Sequence, residues 1–89
     1  MGIFQENIRV KITQIIRSDN LSSFKRHLKQ YNITKNQTIS KGRTGIFICC
    51  LFGSMKCLKY LIEEGNDVNI AEEGEERNTP FIIACKFDY

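Results

Sequence analysis

Four cysteines, one histidine and a run of glutamates are the residues of this 89-residue chain whose chemistry could go beyond packing. Zinc needs about four closely placed Cys or His ligands. Here Cys49 and Cys50 are adjacent, Cys57 and Cys85 stand apart, no C-x2-C pair exists, and the sole His27 is remote. The spacing points to neither a metal site nor a disulfide framework; a free Cys packs as a small hydrophobe. His27 has no Ser or Cys suggested as a partner by spacing, so a structural or exposed histidine is expected. The carboxylates Glu72, Glu73, Glu75 and Glu76 could pair for acid–base work or hold a hard cation. They lack the alternating ligands and closing bidentate Glu of a Ca²⁺ loop, and read as a solvated loop. The six glycines never form G-x-G or G-x-x-x-x-G-K, so no phosphate-cradling loop is present. No catalytic residues, no metal and no cofactor are expected.

Charge is distributed unevenly. Residues 1–43 carry nine Lys/Arg against two acids, +7; residues 44–89 carry four against eight, −4. A basic half can serve nucleic acid through Arg9, Lys11, Arg17, Lys25, Arg26, Lys29 and Lys35. No aromatic–basic interleaving or nucleic-acid motif accompanies these residues. Solvated helix faces are the preferred reading, and a nucleic-acid-associated module is the alternative.

The hydrophobic fraction of 42% suits one small folded domain. The longest apolar run free of charge and Gly, residues 46–52, is far short of the roughly 20 residues that span a bilayer. Glu6 and Arg9 interrupt any secretory h-region, and Glu6 stands where myristoylation expects Ser or Thr after Gly2. The sequons at Asn20, Asn32 and Asn36 are then read as chance. An intracellular protein with its cysteines as thiols is expected, cytoplasmic in the first place and nuclear as the alternative.

The elements that position these residues follow from a repeat. Apolar triplets at i, i+3, i+4 fall at Ile12, Ile15, Ile16; at Ile46, Cys49, Cys50; and at Phe81, Ala84, Cys85. They lie 34 and 35 residues apart, and each draws one helical face. A second helical pattern follows the first two: Leu21, Phe24, Leu28, then Cys57, Leu58, Leu61, Ile62. Short polar breaks separate each pair, with Asp19 or Asn20, and Ser54, placed to cap the next helix. Within "YLIEEGNDVNIAEEGEERNTPF", Gly65 stops a helix in the left-handed conformation. Asn66-Asp67 turns, Val68 is an apolar plug into the core, and Thr79 caps a helix with Pro80 at its first position.

"RTGIFICCLFGSMKCLKYLIEEGNDVN" and "NTPFIIACKFDY" resemble the ankyrin repeat, marked by T-P-L-H-x-A and L-L-x-x-G-A-x-V-N. Thr44-Gly45-Ile46-Phe47 and Thr79-Pro80-Phe81-Ile82 stand at T-P-L-H, and Cys49-Cys50 and Ala84-Cys85 at the paired alanines. Gly53-Ser54 replaces Gly-His. Both T-P-L-H histidines are missing, Gly45 replaces Pro, and the loop of residues 69–79 is two residues long for the family. Residues 8–36 share only the periodicity, without T-P-L-H or the closing Gly, as a terminal capping repeat does.

The resemblance implies an all-α, ankyrin-like solenoid of helical pairs joined by extended loops. A capping unit spans residues 8–36, a fuller repeat 41–69 and an incomplete third 78–89, in one marginally stable array. It implies a non-catalytic protein–protein interaction module, a scaffold or adaptor, with another protein as partner and no membrane. The partner-facing positions are Arg17 and Ser18 in the first unit; Lys41, Arg43, Leu51 and Phe52 in the second; and Glu75, Asn78, Lys86 and Phe87 in the third. A third inner helix without an outer one leaves Phe81, Ile82, Ile83 and Phe87 partly exposed. The chain is accordingly expected to be the N-terminal piece of a longer array, or to self-associate through that helix.

Overall fold

The computed structural model describes residues 6–87. The segment read for a signal or acylation site lies partly outside them, as do the last two residues of the third unit. Helices α1 (Glu6–Arg17) and α2 (Leu21–Gln30) form one hairpin, and α3 (Gly45–Phe52) and α4 (Met55–Glu63) a second; α5 (Pro80–Lys86) packs on α3. Between the hairpins, β1 (Thr38–Ser40) and β2 (Arg43–Thr44) pair antiparallel, Thr38 opposite Thr44 and Ser40 opposite Arg43. The described residues are mostly helical, as expected, and this short pair is an addition to the all-α expectation. Lys41 (φ 55°) and Gly42 (φ 70°) form a tip with both central residues left-handed, the geometry that closes a tight hairpin. Among the described residues, the longer 69–79 segment forms no strand. No helix among them is long and apolar enough to cross a membrane.

In the paired helices the periodic residues are buried or half-buried, except Ile62, which is 47% exposed. Ile12, Ile16, Phe24, Ile46, Cys49, Cys57 and Leu61 form one core with Ile39 of β1 and Ile48. Each large apolar side chain there contributes about 1.5–3 kcal/mol. The third triplet behaves differently. Ile12 and Ile46 are 0% and 2% exposed, whereas Phe81, at the equivalent position, is 75% exposed. Among the described residues, nothing covers on α5 the face that α2 and α4 cover in the first two units. Ile83, expected to be partly exposed, is instead buried, because it faces back toward α3.

One device ends four helices. A left-handed residue (Asp19, Asn32, Gly53, Gly65) is followed by a backbone N–H that reaches the carbonyl five residues earlier. Asn20 bonds Ile15 at 3.4 Å, Ile33 bonds Leu28 at 2.9 Å, Ser54 bonds Cys49 at 2.8 Å and Asn66 bonds Leu61 at 3.0 Å. This satisfies carbonyls that a helix C-terminus leaves open. The first unit therefore does close like the second, with Asn32 at the place of Gly65.

Helix starts divide into local and borrowed caps. Asn20, Thr44 and Thr79 each accept the N–H of the third residue on, Ser23, Phe47 and Ile82. Ser54, expected to cap α4, does not: its hydroxyl donates to the Ile16 carbonyl of α1. The α4 cap comes from Asp19, whose two carboxylate oxygens accept from Lys56 N–H (3.1 Å) and Cys57 N–H (3.0 Å). Val68 is 40% exposed and plugs nothing. The loop is held by a reciprocal pair instead, Asn36 N–H to Asn66 Oδ1 at 3.0 Å and Asp67 N–H to Asn36 Oδ1 at 2.6 Å. At Gly45 a Cβ would come within 3.0 Å of Leu61 Cδ1, so the missing proline leaves room for close packing.

Candidate functional site: a groove beside α3 and α5

Arg43 of β2, α3, α5 and the 69–79 segment line a groove of about 540 Å³. Its lining gathers six of the ten partner-facing residues expected from sequence: Arg43, Leu51, Glu75, Asn78, Lys86 and Phe87. Leu51 and Phe87 come from the ends of α3 and α5, and buried Ile83 from the middle of α5. These three give apolar contact area among four glutamates.

Glu72 organises the acidic wall. It is 7% exposed, which corrects its reading as a solvated loop residue. Its Oε1 accepts from Arg43 Nε at 3.1 Å, and its Oε2 from Asn78 N–H at 3.1 Å and Asn78 Nδ2 at 2.8 Å. Burial alone would raise the Glu72 carboxyl. The Asn78 N–H, the Arg43 guanidinium and the Asn78 amide together outweigh it and hold the group below its usual value. The loop is fastened further where Glu72 N–H reaches the Asn78 carbonyl (2.8 Å) and Glu73 N–H the Gly42 carbonyl (3.0 Å).

Gly42 permits that last approach: a Cβ there would lie 2.7 Å from the Glu73 Cβ, on a backbone already at φ 70°. Arg43 and Asn78 are thus tied into the wall, and Arg43 also lies over the Phe47 ring at 5.2 Å. Lys86 pairs loosely with Glu76 at 3.8 Å. Among the described residues no ion pair joins Glu73 or Glu75 to a cation. Four carboxylates against Arg43 and Lys86 leave the lining at −2.

The other four expected residues lie elsewhere. Arg17 stacks over the Phe52 ring at 5.6 Å, and Phe52 packs partly on the core. Ser18 is exposed and donates to the Ile15 carbonyl at 2.8 Å. Lys41 is exposed at the hairpin tip. Sequence reasoning missed Glu72, Glu73, Glu76 and Ile83 as lining residues. The acidic run was visible, but which of its members turned inward was not.

The histidine and two of the cysteines are taken up by the packing. His27 Nδ1 lies 2.7 Å from the Ser23 carbonyl, and its ring tilts against Tyr31. Cys49 and Cys57 are buried free thiols. Burial, then the hydrogen bond and charge of Asp19, push the Cys57 thiol up to about 12. Burial first, then neighbouring thiols and Asp19, raise Cys49 as well. Such thiols are poor nucleophiles. No group of three or more His, Cys, Asp or Glu among the described residues is placed to hold a metal ion.

Comparison with the curated proteins finds no match. Residues 12–89 match the family described as ankyrin repeats (3 copies), in agreement with the paired helices, the T-P-type caps at Thr44 and Thr79 and the left-handed closures at Asn32 and Gly65. The chain belongs to the ankyrin-repeat family and has its helical-hairpin repeat fold.

Proposed function

We infer that this chain is a non-catalytic protein–protein interaction module, a scaffold or adaptor, whose partner seat is the groove beside α3 and α5. Ankyrin repeats generally mediate protein–protein interaction and are typically non-catalytic. One observation carries the reading for this chain. Leu51, Ile83 and Phe87 share a groove with carboxylates that leave it at −2. A partner segment with an apolar anchor flanked by Lys or Arg matches that lining in shape class and charge. In this reading Lys41, Phe52, Arg17 and Ser18 are secondary contacts outside the groove, in a short solenoid with units at residues 8–36, 41–69 and 78–89.

The test is selection from a displayed random-peptide library against the folded protein. Basic peptides with an apolar anchor should be enriched, and Leu51→Glu with unchanged ellipticity should abolish their binding. Enrichment of acidic peptides, or equal binding to the variant, would refute the assignment.

A second reading rests on the exposed face of α5, where Phe81 is 75%, Ile82 42% and Phe87 52% exposed. We propose self-association through this face, since apolar area of this kind favours burial against another surface. Sedimentation should show a concentration-dependent dimer that Phe81→Asp disperses; a monomer at every concentration would remove the idea. The nucleic-acid alternative has thinner support, because Arg17 is engaged with Phe52 and only Lys25, Lys29 and Lys35 of its seven residues line one groove.

A further inference from the structure

A second groove, of about 480 Å³, lies between α2, α4 and the turns that follow them. Three lysines enter it from two elements: Lys25 and Lys29, one turn apart on α2, and Lys35 from the following turn. Among the described residues no ion pair joins any of the three to a carboxylate. Lys25 lies over the Tyr60 ring at 4.9 Å, and Lys35 Nζ reaches back to within 3.0 Å of where a Cβ on Gly65 would stand. Three like charges lining one groove repel one another unless an anion joins them.

The lining also limits what the anion can be. Glu64 is the one carboxylate in it, so three ammonium groups against it leave +2. A phosphomonoester carries about −1.5 to −2 at neutral pH, where a carboxylate carries only −1. The walls beside the lysines are Leu28, Ile33 and the Tyr60 ring, all partly buried. They would cover a small apolar or aromatic body attached to the charged head. The size falls in the range of small-ligand clefts.

We propose that this groove is a binding site for a small phosphomonoester with an apolar or aryl body, separate from the partner groove beside α3 and α5. The phosphate sits among the Lys25, Lys29 and Lys35 ammonium groups, and the body rests on Leu28, Ile33 and Tyr60.

The experiment titrates the folded chain with phenyl phosphate at low salt, read by amide chemical shifts. Shifts should saturate and centre on Lys25, Lys29, Lys35 and Tyr60, with phenyl phosphate binding about tenfold tighter than inorganic phosphate. Lys29→Gln with Lys35→Gln should weaken binding by about tenfold. Glu64→Gln should strengthen it by a few fold, a change that damage to the fold would not produce. Three results would overturn the proposal: no saturation, equal affinity for inorganic and phenyl phosphate, or equal binding by the double variant. So would a single-stranded oligonucleotide that binds the lysines while phenyl phosphate does not, which would assign the groove to nucleic acid.

Discussion

The Asp19 carboxylate accepts the backbone N–H of Cys57 at 3.0 Å across 38 residues of chain. In the same junction the hydroxyl of Ser54 donates to the Ile16 carbonyl. The first hairpin therefore supplies the cap of the second hairpin's outer helix, and the residue at the cap position fastens the first hairpin in return. The two units are joined by side-chain-to-backbone hydrogen bonds as well as by apolar packing.

Removing that bridge should cost what an N-cap costs. Asp19→Ala is expected to destabilise the chain by about 1 kcal/mol, read as a lower urea midpoint with unchanged slope. Asp19→Asn keeps an acceptor and should lose less. An Asp19→Ala midpoint equal to that of the wild type would show that the cap contributes nothing.

Acid should act through the same carboxylate and through Glu72. Burial would raise Asp19, but the N–H groups of Cys57 and Lys56 hold it below its ordinary 3.8, and Glu72 is likewise held below its ordinary 4.5. A depressed folded-state pKa contributes stability above the unfolded value and loses it as pH falls through the folded one. Urea midpoints should thus be level at neutral pH and fall below about pH 4.5. In Asp19→Asn combined with Glu72→Gln that fall should be shallower; an equally steep fall would place the acid sensitivity elsewhere.

The four thiols should separate by burial. Cys85 is exposed, Cys50 half-buried, and Cys49 and Cys57 buried. With an aromatic disulfide reagent near pH 8, Cys85 should react at once and Cys50 more slowly, since burial raises its thiol. Cys49 and Cys57 should react only at the rate of unfolding. Rapid labelling of Cys57 in the native protein would contradict the packing described for α4.

Gly42→Ala should loosen the acidic wall. The new methyl meets the Glu73 Cβ at 2.7 Å on a left-handed backbone, a strain of about 1–3 kcal/mol. Hydrogen exchange at the Glu73 amide, which bonds the Gly42 carbonyl, should accelerate more than exchange in α1. Uniform acceleration would mean global destabilisation instead.

Local features were legible in the residues. Ile12 and Ile16, then Ile46 and Cys49, follow helical spacing and are buried as that spacing requires. Thr79 caps the helix its type predicts, and Gly65 takes the left-handed turn. Val68 misled because an apolar residue in a turn looks like an anchor; the Asn36–Asn66 exchange already holds that turn, leaving Val68 outward. Ser54 misled because its type fits a cap, whereas Asp19 reached the α4 N-terminus from the neighbouring turn.

The sequence by itself determined the helices, their ends and the period of the repeat, because side-chain spacing, capping chemistry and left-handed turns act within a few residues. Tertiary structure alone decided that Asp19 serves α4, that Glu72 turns inward to Arg43 from 29 residues away, and that Ile83 is buried while Phe81 stays exposed as expected. It also brought Lys25, Lys29 and Lys35 into one groove with Tyr60, and Leu51 into one with Phe87. These are choices between chemically similar partners far apart in the chain. Only the packing of one hairpin on the next selects among them.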